Sequence, residues 1–231
     1  MPTTSSFARI VVMPFRNLRL SFLVVILLAG GIRTAATAQV KLESTGPLKD
    51  ASASAEISKA LSAEGHRVVL ADGPLGEIWL VTSLPATPDT DREHTNYSAM
   101  LGTGALVGVI WFPHGARDFR GQAIKPGAYT LRYAVMPNDG AHMGAAPQRD
   151  FLLAVPLGSD SHTAALTMAE LLKASSAASG TNHPAVFLLL PPGGGDKAGA
   201  SAYENPDGYV VFASRAGGVP LALVVKGQAE Q

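Results

Sequence analysis

Residues 136–151, MPNDGAHMGAAPQRDF, combine side chains that could bind a soft metal ion. Two thioethers and an imidazole lie within this one segment, and two further histidines stand near the ends of predicted strands. Thioether and imidazole ligands together select copper, and a chain without cysteine would have to use Met and His for it. There is no His-x-His and no repeated Met-x-x-Met, so copper binding is an alternative hypothesis. Its candidate ligands are His142, Met143, Met136, His114 and His183.

The same segment ends in an arginine and an aspartate, Arg149 and Asp150, directly before the apolar run FLLAVP. Arg132 lies in the preceding predicted strand. On adjacent antiparallel strands an arginine can lie across from an aspartate and hold the connecting loop by a charge-assisted, bidentate bond. We therefore predict a structural, loop-anchoring role for these three residues, with Asn138-Asp139-Gly140 making the turn.

No catalytic motif is assembled in the sequence. The absence of cysteine excludes thiol catalysis, and Gly-x-Ser-x-Gly does not occur. A Ser-His-Asp triad built from distant positions stays open, so an unrecognised hydrolase is a further alternative. No pattern requires a cofactor, and no catalytic or cofactor-binding residue is predicted.

The elements that would position these residues are mostly short strands. Eight runs rich in β-branched and aromatic residues are bounded by Gly, Pro, Asn or Asp, which is typical of a β-sandwich or jelly roll of about eight strands. The runs are HRVVLA, GEIWLVTSL, ALVGVIWF, AYTLRYAVM, DFLLAVPL, PAVFLLL, YVVFA and PLALVVK. AYTLRYAVM alternates between an apolar and a mixed face, which predicts a half-buried strand, whereas DFLLAVP and PAVFLLL are apolar on both faces and should be central.

Two helices interrupt the strands in this prediction. AEISKALSAEG predicts a short helix over residues 55–64, with Gly65 as its stop. A second helix is predicted near residues 162–178, with Asp160 or Ser161 as its N-cap and Gly180 after its last turn. Residues 85–99 and 191–208 are polar or rich in Gly and Pro, and predict surface loops. The alternation of strand and helix that a doubly wound α/β fold needs is missing.

The first 38 residues have the layout of a secretory signal peptide. Arginines precede an apolar run over residues 20–30, and Ala36-Thr37-Ala38 supplies the small residues of a cleavage site. The apolar run is about half the ~20 residues that a membrane-spanning helix needs. We expect cleavage after Ala38, then a polar lead-in over residues 39–53 and a single β-sandwich domain over residues 54–231.

The charge of the rest of the chain excludes some partners. The N-terminal 38 residues contain four arginines and no acidic residue, which leaves 14 basic and 18 acidic residues, a net charge of −4. Nucleic acids and anionic membranes both bind clustered positive charge, so neither is an expected partner. An exported chain without cysteine must be held together by its core alone.

The segment GVIWFPHGARDFRGQAIKPGAYTLRYAVMPNDGAHMGAAPQRDFLLAVP, followed by SGTNHPAV and a closing PLALVV strand, resembles a set of conserved, exported bacterial proteins of unassigned function. The likeness covers roughly residues 65–226. It implies a secreted β-sandwich and a periplasmic or extracellular location, and it implies no catalytic residue. The leading hypothesis is therefore a non-enzymatic, periplasmic or secreted β-sandwich that binds a small molecule, a glycan or a protein partner through loops on a rigid scaffold.

Overall fold

The computed structural model describes residues 40–85, 93–139, 146–193 and 199–227. The predicted signal peptide lies outside these residues, as do two of the predicted metal ligands, His142 and Met143. No helix within the described ranges is long and apolar enough to cross a membrane.

The described residues form twelve strands and two α-helices, and every strand pair is antiparallel. The predicted all-β class is confirmed, and each of the eight predicted runs contains a strand. The strands are β1 (Lys41–Thr45), β2 (Gly65–Leu70), β3 (Gly73–Leu80), β4 (Leu106–Phe112), β5 (Ala116–Arg117), β6 (Ala123–Ile124), β7 (Gly127–Val135), β8 (Asp150–Pro156), β9 (Ala185–Leu188), β10 (Ser201–Glu204), β11 (Val210–Ala216) and β12 (Val219–Lys226). The helices are α1 (Ala55–Ala60) and α2 (Met168–Ser179).

Two sheets make the sandwich-like core. One has seven strands in the order β1-β2-β3-β4-β7-β8-β9, and the other has three in the order β10-β11-β12. Residues of both sheets share one apolar cluster, for example Val68 and Ile110 with Phe212. The sheets also meet at one side, where Leu189 forms an isolated bridge with Leu223. β5 and β6 pair separately as a small hairpin.

Helix α2 covers the other face of the seven-stranded sheet. Leu153 and Val155 of β8 pack with Leu171 of α2 in a second apolar cluster, while Leu152 and Ala154 belong to the cluster between the sheets. β8 is therefore buried on both faces, as its doubly apolar sequence predicts. The prediction that PAVFLLL is central was wrong, because its strand β9 forms one edge of the seven-stranded sheet, although most of its residues are buried.

The prediction that β7 is half-buried was wrong. Its mixed face is also buried, including Thr130 and Arg132, because the segment before α2 lies over it. Burial of Arg132 is possible because its charge is paired there, as described below.

The second helix starts later than predicted. Thr167, not Asp160 or Ser161, is the N-cap, and it forms a capping box with Glu170. Gly180 follows the last turn with a left-handed φ of 66°, as predicted. Residues 160–167 stay non-helical because they bind the strands beneath them.

Other boundaries also differ. The predicted polar lead-in contains β1, an edge strand whose alternating exposed residues Lys41 and Glu43 explain its polar sequence. The first helix ends at Ala60, because Leu61 bridges Val81 and Gly65 already begins β2. Within the predicted surface loop over residues 85–99, Tyr97 is fully buried.

Candidate functional site

A cleft of about 460 Å³ opens at one end of the core, between the two sheets. One wall is formed by residues before and at the start of β2 and by residues at and after the end of β3. The other wall is formed by the end of β11 and the turn to β12, together with Gly199 and Ala200. We call it the inter-sheet cleft. Its polar lining residues are Ser62, Glu64, His66, Thr82, Ser214 and Arg215.

The start of β2 places His66 in this cleft. At Gly65 the chain passes against Trp79, and a Cβ there would lie 2.2 Å from Trp79 Nε1, so only glycine fits. From His66 onward the strand alternates, and His66 shares its face with Val68 and Leu70, which both pack between the sheets. The His66 ring lies 5.7 Å from the Phe212 ring of the opposite sheet, centroid to centroid.

Most polar groups of the inter-sheet cleft already have partners. Ser62 Oγ accepts from the Glu64 backbone N–H at 3.1 Å, and Glu64 Oε1 accepts from Ser44 Oγ at 2.7 Å. Thr82 Oγ1 donates to the carbonyl of Ala60 at 3.2 Å. Arg215 Nη1 donates to the carbonyl of Gly218 at 3.0 Å.

His66 and Ser214 differ from these groups. Both are half-buried, and within the residues that the structure describes neither side chain has a hydrogen-bond partner. Ser214 lies two residues after Phe212 on β11 and therefore shares its face toward the opposite sheet. An imidazole and a hydroxyl thus face the cleft without a hydrogen bond to the described chain.

This arrangement can bind a ligand, but the part of the chain that the structure describes contains no hydrogen-bonded acid–base pair here. A histidine base in a hydrolase needs a nucleophile within hydrogen-bond reach and a third group that orients the ring. His66 makes no such bond to a serine or a carboxylate of the described chain. The hydrolase alternative therefore has no geometric support at this cleft.

The described metal candidates do not converge. His114 and His183 are exposed and follow β4 and precede β9, both toward the end of the sheet where β7 begins. Met136 follows the opposite end of β7 and packs against the apolar cluster under α2. Because a strand rises about 3.3 Å per residue, roughly 20 Å or more separates Met136 from the two histidines. No group of three His, Asp or Glu side chains in the described ranges could hold a metal ion.

Arg132 has a different partner from the one that the sequence suggested. The register places it opposite Leu153, away from Asp150, and its guanidinium makes a bidentate ion pair with Asp160, at 2.6 and 2.8 Å. Its other N–H groups donate to the carbonyls of Gly104, Ala164 and His162. All five donors of this fully buried side chain are used.

Asp150 and Arg149 tie the segment around Tyr97 to the sheet. Asp150 Oδ1 accepts from Tyr133 Oη at 2.6 Å and from the Tyr97 N–H at 3.2 Å, and Oδ2 accepts from the Asn96 N–H at 2.6 Å. Arg149 donates to the carbonyls of Met136 and Glu93, both at 2.7 Å.

Tyr97 then connects the two sheets. Its Oη donates to the carbonyl of Leu190 at 2.7 Å and accepts from the backbone N–H of Ala222 at 3.2 Å. Burial raises the pKa of Tyr97 well above its usual range. The sequence analysis missed Tyr97, His66 and Ser214. The alternation of His66 with Val68 and Leu70 could have shown that His66 faces inward, but nothing in the sequence marks the cleft.

No protein-family model, no curated protein and no solved structure matches this chain. The resemblance to exported bacterial proteins therefore stays a prediction, and the function is argued from the geometry.

Proposed function

We propose that this protein is an exported, non-enzymatic β-sandwich that binds a small molecule in the inter-sheet cleft. The observation that carries the proposal is the pair of unpartnered side chains, His66 and Ser214, between the two sheets. Half-buried polar groups at an opening keep contact with water and can exchange that water for a ligand. Two such groups without a partner in the described chain, in a concave site within the 300–1,000 Å³ that is usual for ligand pockets, are typical of a binding site.

A binding role is favoured over catalysis because no described residue of the cleft places a base in hydrogen-bond contact with a nucleophile. The proposed location is the periplasm or the extracellular medium. It is supported by the charged, apolar and small-residue pattern of the first 38 residues. The net charge of −4 beyond residue 38 supports a partner other than nucleic acid or an anionic membrane.

Nuclear magnetic resonance on isotope-labelled protein, expressed from the full-length sequence, tests the binding proposal. The His66 ring and Ser214 signals are followed while a library of soluble metabolites, sugars and metal salts is added. We expect at least one organic compound to shift both sets of signals in a saturable way, with the exposed His114 ring as an internal control. If compounds shift only signals outside the cleft, or none at all, the proposed function is wrong.

Export has its own test. We expect the full-length chain, expressed in a bacterium with a general secretion pathway, to appear outside the cytoplasm. Its intact mass should be that of a chain whose first residue is Gln39. A cytoplasmic protein that retains residues 1–38 would contradict the proposed location.

A further inference from the structure

We propose that the hairpin of β5 and β6 is a second binding surface, and that it binds an acidic polysaccharide. The hairpin shares no residue with the inter-sheet cleft, so the two surfaces can be tested separately. Its outward face presents positive charge on a firmly held turn.

The register of the hairpin separates an inward face from an outward face. Ala116 pairs with Ile124, and both pack against the core. The next pair, Arg117 with Ala123, is exposed, and side chains alternate along each strand. The exposed charged residues of the hairpin and its flank are Arg117, Arg120 and Lys125.

Asp118 fixes the turn that carries these cations. This carboxylate is fully buried, and its Oδ1 accepts from the backbone N–H groups of Arg120 at 3.0 Å and Gln122 at 2.8 Å. Its Oδ2 accepts from Gln122 Nε2 at 2.8 Å and from the N–H of Val186 on β9 at 3.1 Å. The N–H of Phe119 donates to the Val186 carbonyl at 2.8 Å. Because the turn is already bonded to the edge of the seven-stranded sheet, little ordering is left to pay for on binding.

The three cations form no ion pair with a carboxylate of the described ranges. Arg67 on β2 is different, since it pairs with Glu77 at 2.7 Å and with Glu43 at 3.4 Å. Arg117 Nη1 donates to the carbonyl of Gly121 at 2.7 Å, which positions the guanidinium without neutralising its charge. The positive charge of the hairpin is therefore available to an anionic partner.

The spacing of the cations favours a polymer over a single small anion. Arg117 and Lys125 occupy diagonal positions of an antiparallel pair, about 7–8 Å apart. Arg120 follows Arg117 around the turn, within about 10 Å of extended chain. Charges this close act together, because the Debye length is about 8 Å at physiological ionic strength, even though the net charge beyond residue 38 is −4. Exposed donors at this spacing fit anionic groups that repeat along a chain.

The remaining side chains of the hairpin discriminate between polymers. Single-stranded nucleic acids bind exposed aromatic rings on which bases stack, whereas Phe119 packs against Phe151 and Tyr209 of the protein. Anionic membranes retain clusters of about four to eight basic residues or apolar side chains that enter the lipid. Over residues 116–124 the one exposed apolar side chain is Ala123. An acidic polysaccharide needs neither feature, because its carboxylate or sulfate groups can each accept two hydrogen bonds from a guanidinium.

Fluorescence anisotropy with end-labelled polymers tests this surface on the purified protein. The acidic probes are heparin and polygalacturonate, which carry sulfate and carboxylate groups, and the neutral control is dextran. We expect both acidic probes to bind saturably at about 50 mM salt and to lose affinity as the salt concentration rises, because binding releases counterions. Dextran should not bind.

Matched variants locate the binding. We expect the triple variant Arg117→Gln, Arg120→Gln and Lys125→Gln to bind both acidic probes about tenfold more weakly, since it removes three exposed ion pairs. Arg117→Lys with Arg120→Lys keeps the charge and should retain most of the affinity. The control removes the same charge from exposed lysines outside the hairpin, namely Lys41→Gln, Lys59→Gln and Lys226→Gln. It should bind as the unmodified protein does, and circular dichroism checks that every variant is folded.

Three results would overturn the inference. An equal loss of affinity in the two glutamine variants would show that net charge drives the binding, wherever it lies. Tighter hairpin-dependent binding of a DNA strand, or of phosphatidylglycerol vesicles, would assign the surface to another class of partner. Failure of both acidic probes to bind would refute the surface and leave the proposed cleft site untouched.

Discussion

The Arg132–Asp160 pair and the inter-sheet cleft are two polar regions of the same domain, and they differ in how many of their polar groups are hydrogen-bonded within the protein. Arg132 lies under the segment before α2, and every N–H of its guanidinium has an acceptor. His66 and Ser214 face the space between the sheets, and neither has a partner in the described chain. The first region uses polar groups to fix the fold, whereas the second leaves them available.

This difference distinguishes polar groups that stabilise the fold from polar groups that are available to a ligand. A buried charge is tolerated only when it is paired and fully bonded, so a saturated site has no capacity left for a ligand. A half-buried group at an opening keeps contact with water and can exchange that water for a ligand. The two regions should therefore respond oppositely when an apolar side chain replaces the polar one.

Arg132→Met should cause the largest loss of stability. It leaves the Asp160 carboxylate buried and unpaired, which costs about 3–5 kcal/mol of unfolding free energy. Urea denaturation followed by circular dichroism measures it, with Arg117→Met as the control, since Arg117 is exposed. A loss below 1 kcal/mol for Arg132→Met would mean that the pair does not hold the segment before α2.

Asp150→Asn should cost less. The charged carboxylate accepts from Tyr133 Oη and from the N–H groups of Asn96 and Tyr97, and hydrogen bonds to charged groups contribute about 1.5–3 kcal/mol. The expected loss of unfolding free energy is of that order, because the amide keeps part of the bonding. Asp72→Asn, in the exposed turn between β2 and β3, is the matched control. Equal stability of the two variants would contradict the anchoring role of Asp150.

His66→Leu should stabilise the protein. An apolar side chain of similar size on the inner face packs against Phe212 without the partial desolvation of an imidazole, and should add about 0.5–1 kcal/mol, while ligand binding at the cleft is lost. The same denaturation measurement detects the gain. If His66→Leu destabilises the protein by more than 1 kcal/mol, the ring is a packing element and the contrast with Arg132 fails.

Glu56→Gln should have the smallest effect, visible as a change in pH dependence. Hydrogen bonds from the Thr163 hydroxyl and backbone N–H, with a smaller contribution from His162, lower the pKa of Glu56 from 4.5 to about 2. Because the folded-state pKa is lowered, the stabilisation is complete above pH 4.5 and is lost as the pH falls toward 2.

Thermal unfolding between pH 2 and pH 7 checks this prediction. Glu56→Gln should lose less stability than the unmodified protein as the pH falls through this window, whereas Glu204→Gln, an exposed carboxylate on β10, should follow the unmodified protein. Parallel curves for all three proteins would show that Glu56 does not hold the segment that covers Arg132.

The strands were predictable from the sequence, and the polar contacts were not. Each of the eight apolar runs became a strand because period-2 alternation and bounding turn residues act locally. β1 was missed because an exposed edge strand keeps a polar sequence. Arg132 was assigned Asp150 in place of Asp160, because Asp160 lies 28 residues away along the chain and only the folded segment before α2 brings it close.

The sequence by itself determined the all-β class, the positions of the main strands and the inward face of β7, since each depends on neighbours two to four residues apart. Only the tertiary structure decided which polar residues are saturated and which are free. Asp150 meets Tyr97, and His66 meets Phe212, across 53 and 146 positions of the chain. Contacts over such separations arise from sheet order and packing, which local patterns do not encode.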